Sequence, residues 1–230
     1  MLTQHFLWEE TQLHILKKMN DSKSHISLRT YIFLDSLQLQ MASYISTVSR
    51  GFLPVGGQSG CIIEIAPGIE INALTDIAIK ATNVRPGMQI VERAYGMLEI
   101  HSDSQGDTRI AGEAVLAAIN QTKSNRMKPR ILTSQLIKNV DDHHAQLINR
   151  SRHGMMLLRG ETLYVLELEP AGYAYYAANE AEKAAHIKLI DVIGFGKFGR
   201  VYIGGDEAEV LECKTIVEKR LSEITGREDY

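Results

Sequence analysis

The sequence is short of several things at once. Of its 230 residues only two are cysteine, five proline and one tryptophan. Two lone thiols, Cys61 and Cys213, each inside an apolar run, cannot staple a small secreted scaffold, so a reducing compartment and a core built by burial are expected. No apolar run approaches the roughly 18 residues of a membrane span. The N-terminus brings Glu9 and Glu10 early, without the basic stretch and small-residue cleavage site of a secretory leader. There is no excess of cations either: 25 Lys and Arg stand against 28 Asp and Glu, a net charge of -3 with the signs interspersed. A nucleic-acid binder would carry a clustered basic stripe. These absences lead to the expectation of a cytoplasmic protein that partners neither nucleic acid nor membrane.

What the chain does have is a repeat. From Met88 to Ile100 it sets adjacent opposite charges, Glu92 and Arg93, between Ile90-Val91 and Ala94-Tyr95-Gly96. In one continuous strand, neighbouring side chains face opposite sides and one charge would enter a core, so a loop joining two strands is expected there. Moving 103 residues along brings Gly194-Phe195-Gly196-Lys197-Phe198-Gly199 to the same place, with Ile90 over Ile193, Gly96 over Gly199 and Ile100 over Ile203. The tip carries an acid and a base in the first copy, and glycines with one lysine in the second.

The rest of the chain repeats around these loops. An apolar run at Tyr31–Leu34 precedes a helix with Met41, Tyr44, Ile45 and Val48 at helical spacing, closed by Gly51. The strand Cys61–Ile65 stops at Pro67-Gly68, and a second helix spans Glu70 to Asn83. The two strands around Glu92-Arg93 and a helix from Asp107 to about Ile119 complete the order βαβαββα. From Met127 the same order returns, with Gly154 over Gly51, Pro170 over Pro67 and Lys183 over Lys80; the last helix fits after shortening its loop by about three residues. A period of this length means a duplicated domain and not a solenoid. The expected organisation is an unstructured extension at residues 1–27, one domain at 28–122, a polar linker and a second domain at 127–230. Residues 1–27 have no counterpart in the repeat, and residues 1–18 are expected to be a dispensable extension.

Several stretches invite a chemical reading. Gly194–Val201 fits the glycine-rich loop of a protein kinase, and its first six residues fit a dinucleotide fingerprint. Only about thirty residues follow, too few for a kinase catalytic loop, and the run enters a strand where a dinucleotide loop opens a helix. Asp141-Asp142-His143-His144 has metal-ligand chemistry, yet four consecutive helical residues point around the helix, so a solvated face is expected. Glu64 and Glu167 sit inside apolar strands; they fit a symmetric acid–base pair or, preferably, a sheet face that meets a neighbour. His101 and His186 accompany no nucleophile motif. No catalytic residue, metal or cofactor is assigned.

Taken together, Leu34-Asp35-Ser36-Leu37-Gln38, Ile65-Ala66-Pro67-Gly68-Ile69-Glu70-Ile71-Asn72, Glu92-Arg93-Ala94-Tyr95-Gly96 and Ala177 to Ala185 closely resemble the tandem-domain shell proteins of bacterial microcompartments, in particular those of carboxysomes. The resemblance covers roughly residues 25–228. It implies an α+β fold of two permuted, ferredoxin-like microcompartment domains. It further implies three chains closing into a disc that imitates a hexamer, alone or as a stacked pair, among other carboxysome shell proteins. Glu92 and Arg93 would gate a central pore lined by Gly194, Phe195, Gly196, Lys197, Phe198 and Gly199, passing anionic metabolites. Lys80 and Lys183 would join tiles edge to edge. The alternative is a small-molecule-binding regulatory protein or enzyme with a duplicated ferredoxin-like fold.

Overall fold

The computed structural model describes residues 26–229, and in them the order βαβαββα occurs twice. The first pass runs β1 (Ser27–Leu34), α1 (Leu39–Val48), β2 (Ser59–Ala66), α2 (Ile71–Ala81), β3 (Arg85–Glu92), β4 (Tyr95–Ser102) and α3 (Gln105–Ala118). The second runs β5 (Arg130–Ile137), α4 (Asp142–Ser151), β6 (Thr162–Glu169), α5 (Tyr173–Ala184), β7 (Lys188–Ile193), β8 (Gly199–Gly205) and α6 (Glu207–Ser222). Each pass makes one antiparallel four-stranded sheet, ordered β1-β2-β4-β3 and β5-β6-β8-β7. Pairing is conserved between the sheets: Ile62 faces Glu99 as Val165 faces Tyr202. The extension assigned to the N-terminus lies outside the described residues as far as residue 25, while Ile26 is buried and β1 begins at Ser27.

The central strand β2 is apolar almost throughout because both of its faces are covered. On one face Cys61, Ile63, Ile65, Leu98 and Ile100 pack against Leu74 and Ala78 of α2 and Ala111 and Val115 of α3. On the other, Ile32, Ile62 and Met97 meet Met41 and Ile45 of α1, and this core continues without a break into Ala174, Ala177 and Ala178 of α5. The two repeats therefore share a core. Both cysteines are buried, and burial pushes each thiol up to about 12, which makes them packing groups and not nucleophiles.

The repeat slips only at its last helix, and by less than the sequence suggested. Buried Thr108, Ala111, Val115 and Ile119 correspond to Val210, Cys213, Val217 and Leu221, an offset of 102, so the second loop is shorter by one residue and not three. The helix α3 also starts ahead of Asp107. Ser104 is its cap, its hydroxyl accepting from the Asp107 N–H at 3.2 Å, which places Asp107 in the first turn, where a negative charge suits the helix dipole.

Candidate functional site

The β3–β4 hairpin closes through the Glu92–Tyr95 pair, leaving Arg93-Ala94 as its turn, and Arg93 takes the left-handed conformation with φ 54°. The β7–β8 loop closes through Ile193–Arg200, and Gly196, the counterpart of Arg93, has φ 88°. Side-chain-bearing residues adopt this conformation at a cost that glycine escapes. The second repeat meets the demand with glycine; the first places an arginine there. The two loops are neighbours: a Cβ added at Gly196 would stand 3.6 Å from Cγ of Glu92.

Arg93 Nε lies 3.6 Å from its own neighbour's Glu92 Oε1, with the two side chains 93% and 44% exposed, a loose pair within one chain. Lys197 is exposed, its ammonium 5.0 Å from the centroid of the Phe198 ring. The remainder of the glycine-rich run faces inward. Phe195 packs on the shared core, a Cβ at Gly194 would collide with the Tyr175 ring, and one at Gly199 would collide with the Ala171 carbonyl. The free tip of the second loop is thus Gly196-Lys197-Phe198.

The loops rest on a buried polar knot. Arg29 Nε binds Glu64 Oε1 at 2.9 Å while its guanidinium lies 3.7 Å above the ring of Tyr95, the residue that follows the turn. The other Glu64 oxygen accepts from the Thr30 hydroxyl at 3.0 Å and from the Gly172 N–H of the second repeat at 2.9 Å. Burial raises the Glu64 carboxyl, and the Arg29 charge opposes that rise. Its counterpart Glu167 pairs with Arg200 at 2.7 Å and is partly exposed. The two glutamates are therefore not a convergent acid–base pair, because one seals the joint between the repeats while the other faces outward at the far end.

The two lysines differ in the same way. Lys80 is 72% exposed and paired with Asp76 one turn before it. Lys183 reaches into the first repeat, 2.7 Å from Asp35 and 3.1 Å from Glu180. Asp141 caps α4 by accepting from the His143 N–H at 2.9 Å, so the Asp-Asp-His-His run is a helix start. Among the described residues no group of three or more His, Cys, Asp and Glu could hold a metal ion. Gly194–Gly199 leads into β8, so it opens no helix to cradle a phosphate. His186 is a surface residue, but His101 is buried with Nδ1 3.1 Å from buried Glu99.

Sequence reading missed two features. The Glu99–His101 pair was signalled by two residues of one strand face. The second is a clamp between the repeats. Glu182 accepts from the N–H groups of Gln40 and Met41 at 2.8 and 3.0 Å, and Asn179 accepts from Gln38 N–H at 2.9 Å while donating to the Ser36 carbonyl. The signal was an α1 that starts after Gln38, with no capping side chain of its own.

Two fused copies of this fold define a permuted tandem microcompartment shell protein. The double-ringed trimeric shell protein of the RMM microcompartment superposes with a TM-score of 0.86 at 39% identity, over 89% of this chain and all of that one. The fused permuted hexameric shell protein of the same microcompartment gives 0.83 at 41% identity, over 86% of this chain and all of that one. The family model described as the CsoS1D N-terminal domain matches residues 28–125. Carboxysome shell protein CcmP of Synechococcus elongatus is 53% identical over 203 residues, 88% of this chain and 95% of that protein. The chain belongs to the tandem-domain carboxysome shell proteins, and its place is the carboxysome shell.

Proposed function

We propose that three copies of the chain close into a pseudohexameric disc whose threefold axis is lined by the Glu92-Arg93 turn and the Gly196-Lys197-Phe198 tip, and that this axis is a gated pore. The domains that alternate around it are residues 28–122 and 127–230. The observation that carries the gate is Arg93 itself, a fully displayed cation held in a backbone conformation that its counterpart meets with glycine. Strain of this kind persists where a side chain is needed in one place. Three copies of Arg93 at a closed axis repel by about 1 kcal/mol per pair at 4 Å in water, and Glu92 of each neighbour is the group that cancels it. Breaking that alternation swings the side chains away and opens the axis, and Gly196 beside Glu92 leaves room for the movement. With Glu92 and Arg93 balanced, Lys197 leaves the lining positive and favours anionic metabolites.

The tile is non-enzymatic: it works by closing an area and selecting what crosses it. Its partners are copies of itself and other carboxysome shell proteins. Lys80, exposed on α2, is the edge contact between tiles, whereas Lys183 is engaged with Asp35 inside the chain. Stacking of two discs uses a ring of apolar loops, since exposed Phe52, Leu53 and Val55 have exposed Met155, Met156 and Leu158 as their counterparts 103 residues on. Crystals of the Glu92→Ala variant test the gate. An open axis with Arg93 turned outward is the expected result, and an axis closed as in the parent, or loops far from any threefold, rejects it.

A further inference from the structure

We infer that the N-terminal segment of this chain docks back through Phe6-Leu7-Trp8-Glu9-Glu10 into the groove between α3 and the inter-repeat connection. The groove has a volume of about 810 Å³ and is floored by Tyr31 and Phe33 of β1, the edge strand of its sheet, with Tyr176 of α5 at its far wall. Its rim is basic. Arg109, Lys123 and Arg126 line it against a single acid, Glu113. Arg109 holds its guanidinium 3.7 Å over the Phe33 ring, and Arg126 gives its hydrogen bonds to the carbonyls of Thr225 and Tyr31, so neither charge is neutralised by these contacts. Aromatic floor and cationic rim together suit a short ligand that is aromatic and acidic.

The chain carries one such segment where it can reach. Gln121, which lines the groove, donates to the Ile26 carbonyl at 2.6 Å and accepts from the Leu28 N–H at 3.3 Å, so the described chain begins at the mouth of the groove. Fifteen residues lie between Glu10 and Ile26, a reach of about 50 Å when extended, more than enough to turn back along β1. Phe6 and Trp8 supply rings for the Phe33–Arg109 stack, and Glu9 and Glu10 supply the charge that Arg109, Lys123 and Arg126 lack. Docking within the same chain requires no second molecule and does not depend on the pore reading above.

Trp8 is the only tryptophan in the chain, which makes the full-length protein its own reporter. Its emission should be blue-shifted and shielded from acrylamide, independently of protein concentration. Lys123→Glu, on an exposed turn, and Arg109→Glu should each shift the emission toward that of solvent-exposed tryptophan and raise quenching severalfold, as should high salt in the parent. Glu9→Lys with Glu10→Lys should do the same, and pairing these with Lys123→Glu and Arg109→Glu should recover part of the shielding. Solvent-like emission in the parent overturns the inference. So does shielding that none of these variants changes, which places Trp8 elsewhere, or shielding that appears only as concentration rises, which places it on a second copy.

Discussion

Removing the Glu64 carboxylate would leave buried Arg29, the Thr30 hydroxyl and the Gly172 N–H without their shared acceptor. Breaking one side of a buried pair costs about 3–5 kcal/mol, so Glu64→Ala should lower stability in urea unfolding by that much. Glu167→Ala removes the corresponding group from a partly exposed pair with Arg200 and should cost the isolated chain under about 1 kcal/mol. Equal losses would mean that burial does not separate the two. Arg93→Gly tests the other side of residue-scale physics. A left-handed arginine costs about 1–2 kcal/mol, and glycine returns much of that as unfolded-state entropy. The variant should therefore stay close to the parent in stability and keep the turn, while the proposed pore would lose its cation; an unfolded variant or a rebuilt hairpin would show that Arg93 serves the fold.

The helix α1 begins without a cap of its own because another helix supplies one. Glu182 of α5 offers both oxygens to the first free N–H groups of α1, where the dipole favours an anion. Glu182→Ala should cost about 1 kcal/mol, the usual worth of a cap. Beside it, the hydrogen bond from Lys183 holds the Asp35 carboxyl below the usual carboxylate range. A depressed acid contributes stability above its unfolded pKa and loses it as pH falls through the folded one, so the pair acts at neutral pH and fades below about pH 4. Asp35 is largely exposed, which keeps the contribution under about 1 kcal/mol. Asp35→Asn should thus be slightly less stable than the parent at pH 7, with the gap shrinking as pH falls below about 4; a gap that stays constant with pH would remove the pair from the account.

At this scale the order βαβαββα was legible because its signals are local: alternation, helical spacing, and Gly or Pro at the ends of elements. An uncapped start of α1 signals that a cap must come from elsewhere, but which group supplies it was not legible, since Gln40 and Glu182 lie 142 residues apart. The motif Ala177 to Ala185 carried the family resemblance before its work as the inter-repeat clamp was visible. The register of α6 was misjudged for a local reason, because Asp107 looks like a helix cap while Ser104 does the capping.

Applying the 103-residue repeat to the joint between the two halves yields the joint between chains. Within the chain α5 clamps α1; between chains α2 would meet α4 of the next copy. On that joint Ile79 stands where Glu182 does and Leu147 where Tyr44 does, and the two apolar side chains are 41% and 62% exposed although Tyr44 is buried. The loss of the capping glutamate is matched on the other side: α4 carries its own cap, Asp141, where α1 has none. The two surfaces would then suit each other. Burying a side chain of this size contributes about 1.5–3 kcal/mol, and a closed ring repeats the gain at all three joints. The parent should sediment as three chains of 25.7 kDa, about 77 kDa, or as twice that if discs stack. Ile79→Glu and Leu147→Asp should each give a folded species of one chain's mass, with unchanged circular dichroism. Trimers that survive both joint substitutions, or a parent that is monomeric at micromolar concentration, would mean that the ring is not closed through α2 and α4.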